Sequence, residues 1–162
     1  MQNARPYSSR FDGRDQDAWA LPDPETQPEF YADTATKRAL AWVVDAVLIG
    51  IMCFFAVILT AFIGLFFLPF LWFILSFAYR VVTIANGSAT WGMRLMAIQF
   101  RNARGMRLNL SEAFLHTLGY TVSLAVFPLQ LISIVLMLTT ARGQGLTDHV
   151  LGTVALNRSA AY

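Results

Sequence analysis

Two acidic side chains in this sequence occupy positions where a carboxylate could do chemistry or hold a fold together. Asp45 lies within residues 39–79, a stretch that is otherwise almost entirely apolar. A lone carboxylate in such a stretch costs about 2.5–3.5 kcal/mol to insert into a membrane, so it needs a protein partner or water. Asp148 is followed directly by His149 near the C-terminal end. We expect the first to belong to an intramembrane charge network and the second to form a polar node at the interface.

Basic residues near the ends of the same apolar stretch are the candidate partners of Asp45. Arg38 is on the same helix face, seven residues earlier, which is about 10 Å along the axis and too far for a comfortable direct pair. A second helix that returns toward the same side brings Arg80 to a similar depth, and Arg94 follows in the loop. We predict that Asp45 pairs with Arg80 or Arg94. The pair is either a fixed ion pair that sets helix register or a proton or cation relay.

The polar node at Asp148 and His149 has a second interpretation, since Thr147 and Asp148 are both good helix caps. The sequence has two histidines and one cysteine, and no motif with metal-ligand spacing such as H-E-x-x-H. Neither a Ser/His/Asp nucleophilic arrangement nor a phosphate-binding loop is evident. We therefore expect no catalytic residue, no metal, no cofactor and no enzymatic activity.

The apolar stretches predict a mainly α-helical integral membrane protein. A single span takes ~20 residues at 1.5 Å each, so residues 39–79 are long enough for two, which we place at about 38–61 and 65–84. A third apolar stretch, residues 113–140, is too short for two full spans and has Pro128 near its middle. It is either one kinked span or a re-entrant pair of half-helices.

The loop after the second span has a different pattern. Apolar and polar residues alternate on both sides of a turn sequence at residues 102–105. This alternation predicts a small cytoplasmic β-hairpin with one apolar face. Residues 153–156 also have strand character and could complete a small sheet with the hairpin if the C-terminus lies on the same side. The apolar positions are Met96, Ile98, Phe100, Met106, Leu108 and Leu110.

The N-terminal segment is polar and acidic. Residues 1–33 hold three arginines against seven acidic residues, include four prolines and show no helical or strand periodicity. Alone, such a segment cannot bury enough apolar surface to offset its ordering entropy. We expect a tail that is disordered or ordered by a partner protein, with Trp19, Phe30 and Tyr31 as anchors. Residues 159–162 form a short C-terminal tail.

The rest of the chain is basic. Residues 34–162 hold nine basic and three acidic residues, and residues 80–111 hold five arginines and no acid. Because basic loops stay cytoplasmic, the N-terminus and this loop are expected inside, and the protein in the plasma membrane. The distribution does not indicate nucleic-acid binding. The expected partners are the lipid bilayer and other membrane-protein subunits or further copies of the chain.

Three segments carry a family resemblance. Residues 37–45 open with Lys-Arg-Ala-Leu and end at Asp45, residues 90–95 read Thr-Trp-Gly-Met-Arg-Leu, and residues 146–154 read Leu-Thr-Asp-His-Val-Leu-Gly-Thr-Val. Over about residues 31–158 the chain resembles the RDD-domain family of small integral membrane proteins. The family's Arg and two Asp fall on Arg38, Asp45 and Asp148. The order Asp148-His149 is the reverse of the family's frequent His-Asp.

The resemblance implies an RDD-like transmembrane domain at residues 34–158, and transport, including cation/proton exchange, is claimed for some family members. Two functions remain open. The first is an accessory, assembly or stabilising subunit of a larger membrane complex, because two spans and a pair of half-helices make a poor solute path alone. The second is an oligomeric transporter of the cation/proton exchanger type, with Asp45 as the coupling carboxylate. Co-purification with unrelated subunits would favour the first, and ion-dependent pH change in vesicles the second.

Overall fold

Two long helices form from the first apolar stretch. A computed structural model describes residues 21–158. Helix α1 covers Thr34–Leu59 and helix α2 covers Leu68–Gly87, with a short 3-10 helix at Ile63–Phe67 between them. Both are long and apolar enough to cross a membrane, which confirms the two predicted spans. A second 3-10 helix, at Pro28–Phe30, precedes α1. The other elements, in chain order, are α3 (Trp91–Leu95), β1 (Ile98–Arg101), α4 (Leu110–Ala125), α5 (Phe127–Thr139), α6 (Leu146–Leu151) and β2 (Val154–Asn157).

The third apolar stretch forms two helices with a sharp bend. Helix α4 starts at a capping box in which Asn109 and Glu112 each bond the other's backbone N–H. It ends at Ala125, and α5 starts one residue after Val126 at an angle of 116° to it. Pro128 lies in the first turn of α5, where its missing N–H costs no helical hydrogen bond but prevents continuation of α4.

A small two-stranded sheet is present, but its strands are not those of a hairpin. Strand β1 pairs antiparallel with β2, with Ile98 opposite Asn157, so the C-terminal strand is part of the sheet as expected. The turn at residues 102–105 forms, yet residues 106–109 are not a strand. Their N–H groups go to side chains instead: Met106 donates to Asn102 Oδ1 at 3.0 Å and Leu108 to Ser88 Oγ at 2.7 Å. The predicted hairpin is therefore wrong, because side-chain oxygens take the N–H groups of its second arm.

The sheet fixes the path of the bent helix pair. Because β1 precedes α4 and pairs with β2, which follows α6, the chain leaves and returns at the same end of the long helices. Lys37, in the first turns of α1, lies there too, since its ammonium donates to Asn157 Oδ1 at 2.8 Å. Helices α4 and α5 are thus a re-entrant pair. The main apolar core lies at this end and contains Ala41, Ile84, Ala89, Met93, Ile98, Phe100, Leu108, Ala113 and Ala155.

The segment at residues 21–33 packs on the outer face of this sheet. Tyr31 is buried against Leu21 and β2, with Phe30 beside it, and its hydroxyl donates to the Pro22 carbonyl at 2.7 Å. The Asn157 amide donates to two backbone carbonyls of the segment, at 2.8 and 2.9 Å. Residues 21–33, predicted as part of the tail, are therefore ordered against the chain's own β2, which Phe30 and Tyr31 contact. Trp19 and residues 159–162 lie outside the described residues.

Candidate functional site: two buried carboxylates beside a cavity

Asp45 is buried where α1, α2 and α3 meet. Its Oδ1 atom accepts from the Tyr79 hydroxyl at 2.7 Å and from the Gly92 N–H at 2.9 Å. Its Oδ2 atom faces Arg80 across 3.8 Å, so the predicted contact between Asp45 and Arg80 is present as a long one. The closest bonds to this carboxylate therefore come from neutral donors of α2 and α3.

Gly92 makes this arrangement possible. A β-carbon at this position would overlap the carbonyl oxygen of Ala41 and would lie 2.8 Å from Asp45 Oδ1. Glycine therefore lets the backbone of α3 approach α1 closely enough to donate its N–H to the carboxylate. Thr90 caps the start of α3 through a bond from the Met93 N–H, which fixes the direction of this short helix.

The two arginines predicted beside Asp45 have different positions. Arg80 stacks over the Tyr120 ring at 4.5 Å, and its buried Nε atom has no hydrogen-bond partner within the described part of the chain. Arg94 instead stacks over the Trp91 ring at 5.0 Å and lies across Gly87. Its assignment to the charge network is therefore wrong. A guanidinium near the end of a helix can rest on an aromatic face and remain partly exposed, without entering the core.

Asp148 is completely buried and accepts hydrogen bonds from four groups. The Arg38 guanidinium and the Gly145 N–H donate to Oδ2, the latter at 3.0 Å. His116 Nε2 and the Thr153 hydroxyl contact Oδ1 at 2.9 and 2.8 Å. These groups belong to α1, α4 and the ends of α6, so one carboxylate links three helices and the start of β2.

The charges around Asp148 decide its protonation. Burial on its own would raise the pKa of the Asp148 carboxyl, but Arg38 and the hydrogen bond and charge of His116 outweigh burial. Together they hold the pKa of Asp148 well below its usual range. The group is therefore an anion at neutral pH and a partner for the Arg38 cation.

His149 does not share the site of Asp148. Its Nδ1 atom lies 2.9 Å from the Gly145 carbonyl, because successive residues of a helix point about 100° apart. The predicted node is therefore wrong in its second member. The histidine that does contact Asp148 is His116 on α4, which sequence reasoning did not assign to this site. Arg38, expected in the network of Asp45, contacts Asp148 instead.

The two carboxylate centres line one cavity of about 550 Å³ between α1, α4 and α5. Its polar wall carries Arg38, Asp45, Arg80, His116, Thr117 and Asp148. Within residues 21–158, no group of three or more His, Cys, Asp or Glu side chains is placed to hold a metal ion. The polar wall of the cavity offers hydrogen bonding and charge from its paired ions.

These features define a class: a small membrane protein with two long spans, a re-entrant helix pair and a buried charge network at one end. The model of the RDD family matches residues 32–152. The chain belongs to the RDD family, as the resemblance of its three motifs indicates. No curated protein and no solved structure matches the chain.

Proposed function

We propose that this protein is an accessory, assembly or stabilising subunit of a larger complex in the plasma membrane, with no catalytic activity of its own. The observation that carries this proposal is the uncovered re-entrant pair. Helix α4 ends at Ala125 inside the apolar stretch, and a helix end leaves up to four carbonyls without intrahelical partners. Such an end is stable at membrane depth only where protein or water surrounds it.

The outer face of α5 marks where a partner would lie. Phe127 at its start and Val135 two turns later do not line the cavity, and they are 68% and 56% exposed. The chain covers the inner side of the pair with α2 and α6 and has no further described span for the outer side. A neighbouring subunit would both cover this face and enclose the break at Val126.

We propose the orientation in the membrane from the same geometry. The basic residues of the loop and Lys37 lie at the end that holds the sheet, whereas Ile63–Phe67 at the opposite end contains no charge. The excess of arginine and lysine on one side supports a cytoplasmic sheet, N-terminus and C-terminal strand. The connection between α1 and α2 would then face the other side.

The experiment that tests the subunit proposal is site-specific photo-crosslinking in native membranes. A photoreactive residue at Val135 is expected to give a crosslink to a different protein, and the complex should survive mild-detergent extraction and native sizing. Leu59, which is 85% exposed at the far end of α1, is the matched control position. Crosslinks to lipid alone at Val135, with the protein migrating as a single chain, would exclude the proposal.

The alternative is an oligomeric cation/proton exchanger, and the cavity lined by both Asp45 and Asp148 favours it. The test is the purified protein in liposomes with a trapped pH-sensitive dye. An exchanger gives cation-dependent proton movement that the Asp45→Asn variant lacks. A subunit without transport activity gives the same trace as empty liposomes.

A further inference from the structure

The cavity between α1, α4 and α5 has two kinds of wall. One is the polar wall, which carries the paired ions described above. The other is apolar, and its side chains are open to the outside: Val43 is 52% exposed, Leu124 48% and Ile134 40%. Since these side chains belong to apolar stretches at membrane depth, the cavity opens sideways toward acyl chains rather than toward water.

Two residues of the polar wall each have a buried donor with no acceptor among residues 21–158. The donors are Arg80 Nε and Thr117 Oγ1, and both are buried. Thr117 is only 1% exposed, and it lies three residues before Tyr120, on whose ring Arg80 stacks. The two donors are therefore on the same side of α4 and share one region of the cavity. Buried polar groups nearly always have a partner, so the pair indicates an occupant.

The unpartnered groups at the polar wall are hydrogen-bond donors. Asp45 and Asp148 already accept bonds from donors of this chain, whereas Arg80 faces Asp45 at 3.8 Å and otherwise stacks on the Tyr120 ring. An occupant must therefore supply oxygen acceptors, several of them and close together. A phosphate group does this, and a planar guanidinium is a preferred partner for it.

We propose that the cavity binds the headgroup of an anionic phospholipid. Its phosphate oxygens would accept from Arg80 and Thr117 after small rotations of these side chains, and its acyl chains would leave between α1 and α5 into the bilayer. The position is suitable, because the end of the molecule with the sheet carries the basic residues, and such surfaces attract anionic lipids. This inference goes beyond the subunit role and does not depend on it.

The test is a lipid titration of the full-length protein in detergent, followed by native mass spectrometry. The probes are phosphatidylglycerol, phosphatidylcholine with the same acyl chains, and inorganic phosphate alone. We expect one phosphatidylglycerol to bind saturably and more tightly than phosphatidylcholine. Arg80→Gln should weaken this binding about tenfold or more, since hydrogen bonds to charged groups contribute most to such sites.

The more discriminating variant is Thr117→Val. Because its hydroxyl has no partner among the residues that the structure describes, the substitution should leave the melting temperature unchanged or slightly raised while weakening lipid binding about fivefold. The controls are Thr121→Val, whose hydroxyl bonds its own helix, and Arg94→Gln, which lies away from the cavity. The proposal fails if Thr117→Val and Arg80→Gln bind lipid as these controls do. It also fails if inorganic phosphate binds as tightly as the lipid, since the site would then recognise a free anion.

Discussion

Asp148 and Asp45 are both buried and line the same cavity, yet they are held in different ways. Asp148 is bonded by Arg38 and His116 as well as by a hydroxyl and a backbone N–H. Asp45 receives its two short bonds from neutral donors, and the nearest cation stands 3.8 Å away. One centre is a close ion pair, and the other is a hydrogen-bonded carboxylate with a cation at its edge.

This difference indicates a difference in role. The Asp148 centre joins parts of the chain that are far apart in sequence, 110 residues in the case of Arg38, so its loss would release several elements at once. The Asp45 centre joins α1 to the adjacent α2 and α3, which also pack through Ile84 and Met93. Arg80 there keeps an unused donor. We infer that the first centre serves mainly the fold and that the second is the part that can respond to an occupant.

The largest effect should come from Asp148→Asn. The amide keeps the shape of the side chain but leaves Arg38 with no counter-charge, and breaking a buried pair in this way costs about 3 kcal/mol or more. We expect the free energy of unfolding to fall by that amount. The measurement is unfolding in mild detergent, monitored by circular dichroism. Asp33→Asn is the matched control, because Asp33 is exposed and makes no side-chain cap bond. Equal effects of the two variants would show that the Asp148 centre does not serve mainly the fold.

Tyr79→Phe should rank second. The Tyr79 hydroxyl donates to Asp45 and also accepts from the Trp91 N–H at 3.0 Å, so its removal takes one bond from the buried carboxylate and one from the partly buried N–H. A loss of about 2 kcal/mol in unfolding free energy is expected. The control is Tyr120→Phe, because the Tyr120 hydroxyl accepts its hydrogen bond from Trp42 at an exposed position. If the control is destabilised as much as Tyr79→Phe, the hydroxyl bridge between Asp45 and α3 is not important for stability.

Asp45→Asn should have a smaller effect than either. The amide oxygen can still accept from Tyr79 and Gly92, so the substitution removes mainly the long contact with Arg80, and a loss of about 1 kcal/mol is expected. Asp45→Leu, which removes both acceptors as well, should lose clearly more in the same unfolding assay. An Asp45→Asn variant that unfolds as easily as Asp148→Asn would show that Asp45 is held by charge after all.

Sequence reasoning could predict the features that depend on the length of the apolar run and on the depth of a residue in the membrane. The apolar run long enough for two spans predicts α1 and α2, and the antiparallel return of α2 brings Arg80 to the depth of Asp45. Both deductions use only the rise of a helix and the thickness of a membrane. The neutral donors to Asp45 could not be deduced, because they depend on how closely α3 approaches α1.

The parts that could not be predicted depend on pairing between distant segments. Alternation identifies β1 as a strand but does not say that its partner is β2, more than fifty residues later. A local hairpin was the simpler expectation. It does not form because the side-chain oxygens of Ser88 and Asn102 accept hydrogen bonds from N–H groups of its second arm. In the same way, Asp148 is next to His149 in sequence, but the helical rotation between neighbours directs it to His116 on another helix.

The dependence of stability on acidic pH distinguishes the Asp148 centre from the Asp45 centre. The pKa of Asp148 is lower in the folded protein than its ordinary value of 3.8, so the folded state binds its proton less readily than the unfolded chain does. The stability contributed by this carboxylate is therefore complete well above pH 3.8 and is lost as the pH falls through that value toward the folded pKa. The groups that face it are Arg38 and His116, which the substitution Asp148→Asn leaves in place.

The quantity to measure is the difference in unfolding free energy between the unaltered protein and Asp148→Asn. We expect it to shrink by about 1 kcal/mol between pH 5 and pH 3, because the variant has no carboxylate to protonate at this position. Other acidic groups titrate in the same range, but they are present in both proteins and cancel in the difference. A difference that stays constant over this range would mean that the carboxylate titrates alike in the folded and unfolded chains. The close ion pair with Arg38 would then not be what distinguishes this centre from Asp45.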